Sequence, residues 1–456
     1  MLSTRDTASD LSRLAVLQRA WPIILANATV PLLSLIDTAV IGNTGSATDL
    51  GAVALGGLVF NFIHIGLNFL RMSTTGFVSQ AAGASDATEV RAVFARGMCV
   101  AGLIGLLLVL FKLPVAAFSM QLLHGSQAVE QNARAYVGLR LWAAPAGLST
   151  HVVRGVLIGL GHSRALLWLE GSLNAINLAL NLLFVGWLRW GATGVALGTA
   201  IAEWCGLGIA LFLARAALRQ QPTAAALSWS RVLEPAQLKV LLRANVDILV
   251  RTLLLLFGFA VFTDFGARFG DVVLAANHVL LQLISFCAFF LDGYANVAES
   301  LVGVALGAGN RRAFDRAVWR SSELAAANAL LLALAVFGLG PYLVAALTVL
   351  PEVRAAASEQ LPIAALYVAL SVAAFQLDGI FIGATRTRDM RNASIASSVV
   401  FVIAAELASA RFGNRGLWLA FLGFVIARAV ALGACYPGLR RAIPASTPAT
   451  CAGTHS

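Results

Sequence analysis

Charge is scarce in this sequence. Asp, Glu, Lys and Arg make up only 12% of its 456 residues, against 59% hydrophobic ones, and mean hydropathy is +0.82. An ordinary soluble domain carries about twice that share of charge and is excluded. Lysine is almost missing: Lys112 and Lys239 are the two in the chain, and neither follows a glycine. A phosphate-binding loop of the Gly-Lys type is therefore absent, and no nucleotide site is visible. The six histidines (His64, His124, His151, His162, His278 and His455) show no HExxH spacing, and no GxSxG occurs. An enzyme would lack both its metal cluster and its nucleophile. The five cysteines (Cys99, Cys205, Cys287, Cys435 and Cys451) include no CxxC pair. Four of them lie in apolar runs, which reads as small core residues rather than disulfides or metal ligands. No metal and no cofactor is expected.

What the chain does have is apolar runs, each near the roughly 20 residues a helix needs to span a bilayer. We place twelve, near 17–42, 51–83, 92–118, 132–160, 165–188, 192–215, 240–266, 272–308, 317–350, 356–385, 392–411 and 416–438. The expected class is an all-α polytopic membrane protein. The start, MLSTRDTASDLSRLAVLQRAW, lacks a signal-peptide layout and reads as leading into an uncleaved first span. The formal charge of +10 is carried almost wholly by Arg, set mainly in the short gaps between runs. Gaps on the side of the termini hold about three times as many basic residues as the opposite gaps, which places both termini in the cytoplasm. Orientation, not nucleic acid, accounts for the basic balance.

The longest polar gap, RAALRQQPTAAALSWSRVLEPAQLK, divides the chain into similar halves. The expected organisation is an amino-terminal lobe (1–215, spans one to six), a cytoplasmic linker (216–239) and a carboxy-terminal lobe (240–456, spans seven to twelve). RGVLIGLGHSR (154–164) aligns with DGIFIGATRTR (378–388) at an offset of 224. AAGA (81–84) falls on ALGA (305–308) at the same offset. Six spans per half give a parallel repeat, an architecture that binds substrate between its halves and alternates access by rocking.

Several charges sit inside the spans and need a reason. Asp37, in SLIDTAVIG, lies deep in an uncharged stretch, where an ionised carboxylate is costly. Such a group can load and release a proton as its surroundings alternate between wet and dry. Asn177 and Asn181, four apart on one helix face, can bond either protonation state if they face it. Pro22 and Pro31 weaken the first helix, and Pro31 is about 9 Å along the helix from Asp37. Arg251 cannot deprotonate and needs carboxylates, for which Asp292, Glu299 and Asp378 are candidates that spacing does not separate. Arg71 and Arg140 read as structural; Glu203 and Glu406 receive no role. Asn27, Ser34, Asn61, His64 and Asn68, with Phe60, Phe62 and Phe69, suggest an apolar, aromatic cavity suited to amphipathic or cationic molecules.

VPLLSLIDTAVIG (30–42), FLRMSTTGFVSQAAG (69–83), LDGYANVAES (291–300) and LDGIFIGATRTRDMRN (377–392) resemble the DinF branch of the multidrug and toxic compound extrusion (MATE) family, over nearly the whole chain. The resemblance implies the two-lobed MATE/MOP fold and a cation-coupled efflux antiporter, not an enzyme, in a bacterial inner membrane. It implies that Asp37 is the cation-coupling residue and that Asn177, Asn181 and Thr199 are its polar surroundings, with Ser34 and Pro31 on the same helix. Asp378 matches an acidic residue of the tenth helix and joins Arg251, Asp292 and Glu299 in a carboxy-lobe polar network. Many members carry Asp where Asn181 stands, and sodium-coupled ones tend to have a Glu within helix seven, which is missing here. Protons are favoured over sodium. A lipid or oligosaccharide flippase of the same superfamily is the alternative. A monomer is expected.

Overall fold

The computed structural model describes residues 12–44, 46–122, 126–221 and 229–444, with the side chains of 30–39, 43–44 and 122 lying outside the description. Among the described residues every regular element is a helix. The α-helices are α1 (Arg13–Thr44), α2 (Ala47–Leu67), α3 (Phe69–Gly83), α4 (Ala87–Leu110), α5 (Lys112–Leu122), α6 (Gln127–Arg140), α7 (Ala144–Gly159) and α8 (Ser163–Asn181). They continue with α9 (Gly191–Arg219), α10 (Trp229–Val232), α11 (Pro235–Ala267), α12 (Asp271–Gly307), α13 (Arg311–Leu347), α14 (Pro351–Gly383) and α15 (Thr387–Arg441). Nine helical stretches among the described residues are long and apolar enough to cross a bilayer.

Hydrocarbon offers no partner for backbone groups, so each chain reversal needs local chemistry to start the next helix. Ser46 and Asp49 form a reciprocal capping box at the start of α2. Asp86 accepts from the Glu89 N–H at 2.8 Å to open α4, and Asn310 accepts from Ala313 at 2.9 Å to open α13. Pro235 and Pro351 begin α11 and α14, where the missing N–H costs nothing. The expected continuous spans are interrupted in places. Asn68 separates α2 from α3, a short 3-10 turn at Leu141–Ala143 precedes α7, and α8 widens into a π-helix at Leu182–Trp187.

The 55 residues of α15 would extend about 80 Å if straight. They do not. Gly413 takes φ +57, and a Cβ on Gly416 would overlap the carbonyl of Ala408. Residues eight apart are about 12 Å distant on a straight helix, so the chain folds back here as a hairpin. Phe401 then meets Phe421 and Phe424, with ring centroids 5.7 and 5.2 Å apart.

The offset of 224 is written into the backbone. Left-handed residues end corresponding helices: Ser85 with Gly309, and Gly161 with Thr385. The capping residues Asp86 and Asn310 follow the same rule. Gly155 and Gly159 rest on the carbonyls of Arg71 and Thr75, as Gly379 and Gly383 rest on those of Ala295 and Glu299. Between the halves the contact is reciprocal: Gly83 abuts Val304, and Gly307 abuts Gln80. This is the behaviour of a two-fold pseudo-symmetric interface, with small residues letting backbones approach in a membrane. Replacing Gly83 with Leu is expected to cost about 1–3 kcal/mol, because the side chain meets backbone rather than a movable neighbour. Thermal unfolding in detergent measures it. Gly102→Leu, where nothing lies within 4 Å, is the neutral control.

Candidate functional site

Among the described residues, three buried polar groupings contain the site residues expected from the sequence, and the first joins the halves. Arg71 on α3 reaches α12, where its Nη1 donates to Glu299 at 3.1 Å and to Asn296 Oδ1 at 3.0 Å. Its Nη2 lies 3.4 Å from the other Glu299 oxygen, and its Nε donates to Asn68 at 3.3 Å. The side chains are 9% and 2% exposed. The string continues one turn along α12. Asn296 donates to Asp292 at 3.4 Å, and Asn27 of α1 donates to the same Asp292 oxygen at 3.3 Å. Gly293 lets Ile24 of α1 approach there. Nearby, the Gln80 amide donates to the Gly383 carbonyl at 2.8 Å and to Thr385 Oγ1 at 3.2 Å. Helix α1 is thus moored to the opposite half just before Pro31.

The second grouping belongs to the carboxy-terminal half alone. Arg251 of α11 forms a hydrogen-bonded ion pair with Asp378 of α14. Arg428, in the second arm of α15, lies 3.7 Å from the same carboxylate oxygen. Two guanidiniums share one carboxylate, and the Nε of each has no hydrogen-bond partner among the described residues. The expected network of Arg251, Asp292, Glu299 and Asp378 is therefore split. Only Arg251 and Asp378 bond each other; Glu299 turns to Arg71 and Asp292 to Asn27 and Asn296. Sequence could not show this, because burial compels a charge to pair without saying with which element. Arg71 and Arg428 are the partners the sequence reading missed. Their position inside apolar spans was the available signal.

The third grouping is uncharged and lies in the amino-terminal half. Asn181 donates to Asn177 Oδ1 at 2.9 Å, and Asn177 donates to Thr199 Oγ1 at 3.0 Å. Thr199 in turn donates to the Val195 carbonyl at 2.9 Å. Both asparagines are fully buried. The shared helix face expected for Asn177 and Asn181 is present, and α9 supplies Thr199 against it. Gly198 gives Asn181 its room, since a Cβ there would lie 2.6 Å from Oδ1. The side chains of Asp37, Ser34 and Pro31 lie outside the described residues; their backbone is helical within α1. Glu406, expected in apolar surroundings, is exposed and lies 3.9 Å from Arg268.

The MatE family model matches residues 22–183 and 248–407, one block in each half. The chain belongs to the MATE family. It is 35% identical over 435 residues to the DNA damage-inducible protein F of Escherichia coli K12, covering 94% of this chain and 92% of that one. The probable multidrug resistance protein NorM of Deinococcus radiodurans is 32% identical over 441 residues, with 91% and 92% covered. A MATE protein solved in a bent conformation superimposes with a TM-score of 0.85 at 18% identity, over 97% and 98% of the two chains. A MOP superfamily transporter from Pyrococcus furiosus gives 0.84 at 17%, over the same shares. The two-half, all-helical membrane architecture is the one these structures share. As a MATE family protein the chain is a multi-pass membrane transporter and not an enzyme.

Proposed function

We propose that this MATE protein is a proton-coupled multidrug efflux antiporter that exports amphipathic or cationic organic molecules by alternating access, with Asp37 as its coupling residue. The observation that carries this reading is the buried, uncharged string of Asn181, Asn177 and Thr199. Three polar side chains buried in a membrane bundle are costly unless satisfied, and an uncharged receptor can bond a carboxyl group in either protonation state. The mooring of α1 supplies the second part. Asn27 fixes the helix to Asp292 on one side of Pro31, and Asp37 stands beyond it. A proton on Asp37 changes its bonds, α1 bends at the weak point, and the cavity closes on its substrate side. Relatives named as multidrug resistance proteins support the drug class.

In this reading α15 counts as two spans, and α1 and the α6–α7 stretch complete twelve. Residues 1–215 and 240–456 form the lobes, joined by a cytoplasmic linker at 216–239, with both termini cytoplasmic. The protein works as a monomer in a bacterial inner membrane and draws on the proton gradient, without a bound cofactor. The test is uptake of a fluorescent cationic dye into proteoliposomes under an imposed pH gradient, and separately under a sodium gradient. Transport with the pH gradient supports the reading. Transport with sodium alone overturns the ion, and acceleration of a lipid-linked sugar with no dye movement would make the protein a flippase.

A further inference from the structure

A cluster of titratable side chains in the amino-terminal half takes no part in the groupings above. His64 of α2 faces His151 of α7, with Nδ1 of the first 3.3 Å from Nε2 of the second. The rings meet edge to face, centroids 5.5 Å apart. On the far side of His151, Arg154 Nη1 lies 3.5 Å from Nδ1. Arg154 is held by Glu170 of α8 through two bonds of 2.5 and 2.9 Å. On the far side of His64, Nε2 lies 3.7 Å from Glu203 Oε1 of α9. The same carboxylate takes Arg140 of α6 at 3.5 Å, and Arg140 also lies over the Phe60 ring at 4.1 Å. Arg71 of α3 is the further charge acting on His151. Gly147 makes the space: a Cβ there would lie 3.0 Å from Glu203 Oε2.

The order of donors fixes the tautomers. A guanidinium only donates, so His151 Nδ1 accepts from Arg154 and the ring proton sits on Nε2. That N–H donates to His64 Nδ1, which leaves the His64 proton on Nε2, facing Glu203. Both rings are then neutral, the His151 N–H bonds His64, and the His64 N–H points at Glu203 across 3.7 Å. A proton added to His64 Nδ1 would set N–H against N–H. His151 cannot answer by changing tautomer, because its Nδ1–H would then face Arg154.

We infer that His64, His151 and Glu203 form a second proton-binding site, separate from Asp37, in which a proton taken up by His64 breaks its bond to His151 and turns it toward Glu203. The His64 side chain is 37% exposed and His151 is buried, so of the two rings His64 is the more accessible one. The event gives up the side-chain link between α2 and α7 for a closer one between α2 and α9. This rests on no assumption about the substrate or about Asp37.

The experiment is nitrogen-15 NMR of the histidine rings in the purified, full-length Asp37→Asn protein between pH 5 and 8, with signals assigned through His64→Gln and His151→Gln. At high pH both rings are expected to show the Nε2–H tautomer. On acidification His64 becomes doubly protonated while His151 stays neutral. Glu203→Gln removes the facing carboxylate and is expected to lower the ratio of charged to neutral His64 about tenfold at a given pH. Gly147→Ala, which displaces that carboxylate without removing it, is expected to act in the same direction if the Gln variant does not fold. His64 remaining neutral throughout, an Nδ1–H tautomer on His151, or a ratio unmoved by both variants would overturn the proposal. Because no substrate is present, a failure of dye transport would sink the efflux reading and leave this result standing.

Discussion

Replacing Asp37 with Asn is expected to reduce pH-driven dye transport to the rate of protein-free vesicles, a loss of at least tenfold. The amide matches the carboxyl in shape and hydrogen-bonding reach but carries no proton to exchange. In the proposed cycle the Asp37 proton is the one that bends α1, so without it the gradient no longer drives the cycle. Binding of the dye, measured by fluorescence anisotropy on the same variant, is expected to persist. Asp37→Glu is expected to retain part of the rate, since the chemistry survives with the reach altered. Full transport by Asp37→Asn would move coupling elsewhere, and the His64–His151–Glu203 site and the Arg251–Asp378–Arg428 grouping would be the next to test.

The second large effect concerns stability. Glu299→Ala leaves Arg71 buried at the seam without its bonded carboxylate, with Asn296 and Asn68 as the remaining hydrogen-bond partners among the described residues. Removing one member of a buried pair costs about 3–5 kcal/mol, which for a marginally stable protein is a large fraction of the total. The melting temperature of the detergent-solubilised protein is expected to fall steeply. The double variant Arg71→Met with Glu299→Met removes both charges at similar volume and is expected to recover most of the loss. The comparison separates a seam held together by charge from one held by glycine packing. If the double variant is as unstable as the single one, orphaned charge is not the cause.

The membrane class, the apolar runs that become long helices and the doubling of the chain were legible in the residues. Apolar run length is a local property, and a bilayer of fixed thickness turns it directly into helices. The repeat was legible because glycines that meet backbone cannot be replaced without a clash. Gly83 and Gly307 therefore still mark corresponding places 224 residues apart. The shared face of Asn177 and Asn181 was legible for the same reason, being a matter of helical spacing within one element.

Partners across elements were not. Arg251 demanded a carboxylate, and three stood at comparable positions. Asp378 was selected because the long Arg251 side chain reaches from α11 across to α14, while Arg71 claimed Glu299 from the other half. The His64–His151–Glu203 chain draws on three helices, and nothing in the spacing of residues 64, 151 and 203 announces it. Spacing along one helix is set by the helix itself. Which charges meet between helices is set by how the helices pack, and that is decided only when the whole bundle closes.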